Sequence, residues 1–311
     1  MGMRSLKDYL RIAVKGMAMG AADIVPGVSG GTIALITGIY EELLSSLKGL
    51  TPAKLLVLFK EGPAAFWQSI NGNFLLALFV GILISIKTFA SVVSWCLEHQ
   101  PLLVWGGFSG LIVASLYTLF RQQARWAWMQ WLLFSLGAAM VVALALVKST
   151  ELPGHWWILF FGGFIAISAM ILPGVSGSFI LLLLGLYPVA LEAVENLQWL
   201  SLFSFAGGCI AGLLIFSRFL SWLLLRWYQN TLAVMLGFLL GSLYVTWPWK
   251  QVLESIIDRH GEPRAISLAN VSPYEYTALT GEPNQWPLVA LAFALGFVLV
   301  VAIERLSLVR K

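Results

Sequence analysis

The sequence predicts an all-α polytopic membrane protein built as an inverted repeat, each half a re-entrant helical hairpin followed by three transmembrane helices. Three observations predict it. The 311-residue chain is 59% hydrophobic and 11% charged, with a mean hydropathy of +0.86, whereas about a quarter of the residues of a soluble domain are charged. Uncharged runs at 102–120, 127–147, 231–247 and 286–303 have the length that a bilayer crossing requires, and a β-barrel would show short alternating strands instead. Two apolar stretches, ADIVPGVSGGTIALITGIY at 22–40 and AMILPGVSGSFILLLLGLY at 169–187, are interrupted in the same way half a chain apart.

The first element, at about 8–44, reads as a re-entrant hairpin. Arg4, Lys7, Arg11 and Lys15 interrupt the region where the apolar core of a cleaved signal would lie. The piece before Pro26, residues 9–22, is about 21 Å long as a helix, too short for a hydrocarbon core of about 30 Å. The piece after it, 27–44, is barely long enough. The simplest solution is a half-helix that enters, a PGVSG turn inside the membrane, and a second half-helix that leaves on the same side. Non-helical backbone at that depth is tolerated only where protein or a wet cavity surrounds it. Spans at 74–97, 102–120 and 127–147 complete the first repeat, residues 1–150. A second hairpin at about 156–191 and spans at 200–225, 231–249 and 286–304 complete the second, residues 151–311.

The repeat is legible in register. Shifted by 147 positions, Pro26-Gly27-Val28-Ser29-Gly30 falls on Pro173-Gly174-Val175-Ser176-Gly177, Gly38 on Gly185 and Tyr40 on Tyr187. Shifted by 127, Gly81 falls on Gly208, Ser94-Trp95 on Ser221-Trp222 and Gly110 on Gly237. The change of shift puts about twenty extra residues in the first half, between 48 and 72. Three spans per half is an odd number, so hairpins followed by three spans make the second half inverted; single kinked helices at the motifs would give a parallel repeat.

Positive charges favour the hairpins. With the N-terminus in the cytoplasm, the inner side holds Arg4, Lys7, Arg11, Lys15, Lys48, Lys54, Lys60, Arg121, Arg125, Arg226, Arg305, Arg310 and Lys311, and the outer side Lys148, Lys250, Arg259 and Arg264. This places both termini in the cytoplasm. The segment 250–285 is polar and lacks helical periodicity. It reads either as an ordered external cap or as a passive connector. Ten tryptophans near span ends (Trp95, Trp105, Trp126, Trp128, Trp156, Trp157, Trp199, Trp247, Trp249 and Trp286) read as an interfacial belt.

The chemistry is expected at the two motifs. Proline suits a helix's first turn, glycine permits close approach of a ligand, and Ser29 and Ser176 can cap. Free N–H groups with the helix dipole favour an anion, and paired discontinuous helices point to a substrate site at mid-depth. The expected phosphate-binding residues are Ser29, Gly30, Gly31, Thr32, Ser176, Gly177 and Ser178, with Pro26, Gly27, Pro173 and Gly174 making the breaks. The alternative is that the glycines only permit close helix packing. Lys87 and Arg218 lie inside spans, where an ionisable residue is functional by default, and they join the site as cations; the alternative for Arg218 is snorkelling to the inner interface. Asp23 and Glu41 are candidates for ion pairing or for coupling to protons or sodium, with a helix cap an equal reading for Asp23. No HExxH, cysteine pair or carboxylate cluster points to a metal, no cofactor is expected, and the charge pattern gives no nucleic-acid face.

The paired PGVSGGT and PGVSGS motifs, with Asp23 just ahead of the first, resemble the bacterial polyprenyl-phosphate transporters over nearly the whole chain. The resemblance implies that the chain flips undecaprenyl phosphate, a carrier lipid of cell-wall synthesis, across the bacterial cytoplasmic (inner) membrane. Its implied site residues are Asp23, Pro26, Gly27, Ser29, Gly30, Gly31, Thr32, Pro173, Gly174, Ser176, Gly177 and Ser178. Its implied partners are that lipid and the surrounding membrane lipids. The chemistry fits a non-enzyme: moving a phosphate's charge through hydrocarbon needs only a polar groove of positive potential. Two rivals stand beside it. An integral-membrane polyprenyl-pyrophosphate phosphatase needs an arginine and glutamates at its serine-bearing turns, which neither motif has. A small-anion transporter would use the same helix starts.

Overall fold

The computed structural model describes residues 4–24, 29–121, 123, 126–147, 152–257 and 263–308. The chain runs α1 (Leu6–Ile24), α2 (Gly30–Ile36), α3 (Tyr40–Lys48), α4 (Pro52–Lys60), α5 (Pro63–Ser69), α6 (Gly72–His99), α7 (Pro101–Arg121) and α8 (Trp128–Leu146). It continues with α9 (Trp156–Ile171), α10 (Gly177–Leu183), α11 (Leu186–Glu195), α12 (Trp199–Arg226), α13 (Tyr228–Val245), β1 (Lys250–Ile257), β2 (Pro263–Asn270), α14 (Pro273–Thr280) and α15 (Trp286–Leu308). Among the described residues, five helices are long and apolar enough to cross a membrane, and α9 and the 286–302 part of α15 are shorter apolar helices. The chain is a mostly helical integral membrane protein.

A helix lies within a few residues of each expected span, five of them long and apolar enough to cross a membrane. The chain after each motif differs from expectation. Instead of one half-helix after each motif, there are two helices: α2 then α3, and α10 then α11, the latter pair bent by 108°. The cause is a glycine in the left-handed region at the same register of each, Gly38 at φ 71° and Gly185 at φ 67°, a conformation that stops a helix. The extra residues between 48 and 72 form α4 and α5.

Four helix pairs make the body: α1 with α6, α9 with α12, α7 with α15 and α8 with α13. Each crossing is close because a glycine removes the side chain at the contact. A Cβ on Gly81 would run into the Ala13 carbonyl, one on Gly208 into that of Phe160, one on Gly110 into that of Phe293 and one on Gly237 into that of Phe134. Where apolar surroundings supply no hydrophobic drive between helices, such backbone contact carries the association. Because α8 packs on α13 and α7 on α15, the two halves interlock.

The all-α expectation needs correction at 250–285. β1 and β2 pair antiparallel from Lys250↔Asn270 to Ile257↔Pro263, and α14 follows behind a capping box in which Ser272 and Glu275 each bond the other's backbone N–H. The described residues of the segment form an ordered cap. Trp249 and Val271 bury against Leu102 of α7 and Val289 of α15, Trp249 Nε1 donates to Asn284 O at 2.9 Å and Trp247 Nε1 to Val271 O at 2.9 Å. These two tryptophans therefore anchor the cap, whereas Trp95, Trp128, Trp156, Trp157, Trp199 and Trp286 are exposed as the belt reading requires.

Candidate functional site

The two helix breaks meet. Ser29 Oγ donates to Met170 O at 2.9 Å, lies 3.2 Å from Leu172 O, and accepts from Gly31 N–H at 3.1 Å. Thr32 Oγ1 accepts from Gly174 N–H at 2.9 Å, and the Tyr40 hydroxyl donates to Ile171 O at 2.9 Å. A Cβ on Gly31 would stand 2.6 Å from Ile171 O, so only glycine lets α2 come this close to the end of α9. Ser29, Thr32, Pro173 and Ser176 are all buried. Pro26 and Gly27 lie outside the described residues.

The first helix start is not an open anion seat. The Gly30 N–H donates to Asp23 Oδ1 at 2.6 Å, the Gly31 N–H goes to Ser29 Oγ, and the Thr32 N–H to Ser29 O at 2.9 Å. The Gly30, Gly31 and Thr32 N–H groups and the Ser29 hydroxyl, expected to face a phosphate, are met within the chain, and the Asp23 side chain supplies the acceptor at the helix start. At the other end of α2, Lys15 Nζ donates to Thr37 O at 2.7 Å. One helix, α1, thus brackets α2 with a carboxyl acceptor at its start and an ammonium at its end, the order the dipole favours.

The second start differs. Met170 stands at the register of Asp23, so no carboxylate caps α10. Ser176 makes no side-chain cap bond; its Oγ shares a hydrogen bond of 2.8 Å with Ser178 Oγ. An apolar cavity of about 350 Å³ opens beside this break, lined by Leu172, Val175, Ile180 and Phe238 with Ser168 at its wall.

The cations are not where the sequence reading puts them. Lys87 is exposed on α6, away from the face that Gly81 turns to α1, and does not reach the motifs. Arg218 is half-buried on α12 and donates to Leu50 O at 2.7 Å, tying α12 to the chain just after α3. Asp23 pairs with a backbone N–H and not with Lys87. Glu41 is exposed on α3; its neighbour Glu42 holds the partners, a salt bridge from Arg4 at 2.7 Å and a bond from Asn71 at 2.8 Å. Lys15 and Tyr40 were legible only weakly: a lysine inside an apolar stretch reads as a topology marker, and Tyr40 as a residue shared by both motifs.

The chain matches the family model described as undecaprenyl phosphate translocase-like over residues 19–264. It is 43% identical over 300 residues to a polyprenyl-phosphate transporter of Vibrio cholerae, covering 96% of this chain and 97% of that one. It is 29% identical over 256 residues to a polyprenyl-phosphate transporter of Staphylococcus aureus, covering 76% of this chain and 85% of that one. No solved structure matches. A match that spans both motifs and most of the helical body, together with a relative of nearly equal length, identifies the chain as a member of the undecaprenyl phosphate translocase-like family.

Proposed function

We propose that this chain moves polyprenyl phosphate, undecaprenyl phosphate above all, between the leaflets of a bacterial cytoplasmic membrane, and that it does so as an inverted repeat of 1–150 and 151–311. The observation that carries this reading is the meeting of the two helix breaks inside the helical body, through Ser29, Thr32 and Gly174. The lipid's tail can stay in hydrocarbon; the phosphate needs donors at depth. The Ser176–Ser178 start, which lacks a carboxylate, is the better seat for the headgroup, and the cavity beside Val175 is apolar enough for the first prenyl units. The Ser29–Thr32 start shapes that seat from across the junction, and Asp23 stands at its edge as the group through which a proton or sodium ion would couple. The termini lie on the cytoplasmic face and the cap on the outer one. In this reading nothing is hydrolysed, and Arg218, bound to a backbone carbonyl, has no phosphoryl group to stabilise.

Protein in liposomes with a leaflet-resolved assay of undecaprenyl phosphate tests the reading. Exchange well above that of protein-free vesicles is expected, with a loss in Ser176→Ala/Ser178→Ala. Exchange no faster than in empty vesicles overturns it. Release of inorganic phosphate from the pyrophosphate lipid would make the chain a phosphatase instead, and inhibition by soluble anions alone a small-anion carrier.

A further inference from the structure

The two hairpins share a register but not a seat. On α3, Leu44 is 1% exposed and shares a core cluster with Leu220, Leu223 and Leu224 of α12, and Leu47 is 9% exposed. The residues 147 positions on, Leu191 and Val194 of α11, are 46% and 57% exposed. The receiving faces are equally unlike. Leu213 and Phe216 of α12 pack into the cluster that holds α3, whereas Ile86 and Phe89 of α6, 127 positions back, are 44% and 41% exposed. Apolar exposure alone means little in a membrane protein; what counts is that the same registers are buried in one half and bare in the other.

The polar contacts follow the same division. Tyr40 bonds Ile171 O, but its counterpart Tyr187 makes no hydrogen bond among the described residues, and Ile24 holds the register of Ile171. Arg218 bonds Leu50 O. Leu197 holds the register of Leu50, and Lys87 stands one helical turn before the register of Arg218. Both hairpin helices end alike, with Leu50 N–H donating to Leu47 O and Leu197 N–H to Val194 O.

We infer that α11 has a second seat, on the exposed Ile86–Phe89 face of α6, and that the chain alternates between the arrangement seen, with α3 on α12, and its repeat-exchanged counterpart, with α11 on α6. In the second arrangement Tyr187 takes the carbonyl of Ile24, Lys87 takes the carbonyl end of α11, and α3 leaves α12 and frees Arg218. The moving bodies are the glycine-locked pairs α1 with α6 and α9 with α12. Only residues 196–198 join α11 to α12, so α11 reaches α6 only if the start of α12 swings toward the end of α6; the longer link 49–71 lets α3 come and go. That the two seats open opposite leaflets rests on the transport reading above; the docking itself does not.

Cysteine cross-linking in membranes tests it. Native Cys96 holds the register of Leu223 and lies on the proposed seat, so Cys209→Ser carrying Leu191→Cys or Val194→Cys needs no second engineered thiol. Leu44→Cys with Leu223→Cys in a Cys96→Ser/Cys209→Ser background reports the seat observed. The expected result is that both links form, and that each stops polyprenyl phosphate exchange until it is reduced. If the Leu44–Leu223 pair links while neither α11 variant ever links to Cys96, with or without added polyprenyl phosphate, α11 has no seat on α6 and the inference falls. If the control pair fails to link in protein that elutes as a folded species, its premise fails and it falls as well. If both links form but unlinked protein exchanges no lipid, the docking stands and the substrate reading fails.

Discussion

Asp23 decides what the first motif can do. A carboxyl oxygen 2.6 Å from Gly30 N fills the place an external anion would take, and any residue larger than glycine must displace it, since a Cβ on Gly30 would lie 2.6 Å from Asp23 Oδ2. The motif is therefore a self-capped joint, and an intramolecular hydrogen bond of this kind contributes about 1 kcal/mol. Asp23→Ala is expected to lower the melting temperature in detergent clearly, and Asp23→Asn, which keeps an acceptor for Gly30, to lower it less; equal melting of all three proteins would show the cap to be idle. Ser29→Ala removes a helix cap, typically worth about 1 kcal/mol, and also unties Met170. From sequence, Asp23, Ser29 and Thr32 were legible as special residue types, but their partners were not. A hydroxyl that caps its own helix and one that waits for a phosphate look alike until the opposing backbone, here Met170 and Gly174, is placed.

At the scale of elements, the glycines sort by what faces them. Gly207 and Gly208 are neighbours on α12, yet a Cβ on Gly208 would run into the Phe160 carbonyl while one on Gly207 would meet only the Phe160 ring at 3.7 Å. Gly208→Ala should destabilise by about 1–3 kcal/mol through forced separation of α9 and α12. Gly207→Ala should be neutral or stabilise by a few tenths, since alanine is the better helix former. Thermal melts of the two variants check this, and equal melting would remove the close-crossing account. The cap carries a pH signature. Lys250 is half-buried with its ammonium 5.1 Å from the centre of the Trp105 ring and donating to Val245 O, and desolvation lowers its pKa from 10.5 to about 8. A lysine depressed on folding binds fewer protons folded than unfolded between those values, so cap stability rises as pH goes from about 8 toward 10.5. Hydrogen exchange of β1 at pH 8 and 9.5, corrected for intrinsic rate, should show greater protection at the higher pH, and Lys250→Met should remove the difference.

At the scale of the molecule, the spans were legible because long apolar runs leave a helix one way to satisfy its backbone in lipid, and the register of Gly81 with Gly208 carried through to matching helix pairs. Three features escaped. Gly38 and Gly185 cut the second limbs because a left-handed glycine inside an apolar run leaves no mark in hydropathy. The β1–β2 pair escaped because its strands, KQVLESII and PRAISLAN, mix apolar and polar residues without a strict alternation. The unequal seating of α3 and α11 could not be read at all, since a repeat predicts equality and only packing breaks it. The proposed inversion makes a sharp prediction. If α3 and α11 emerge on opposite faces, the chain just beyond each must also lie on opposite faces. Lys60 on α4 and Gln198 after α11 are both exposed, so a cysteine at either position can be reached from water. In a cysteine-free background, Lys60→Cys should react with a membrane-impermeant maleimide only after the cells are opened, and Gln198→Cys in intact spheroplasts. Labelling of both from the same side would make the repeat parallel. The two hairpins would then open on one leaflet, and exchanging their seats could not expose the Ser176–Ser178 seat to the other.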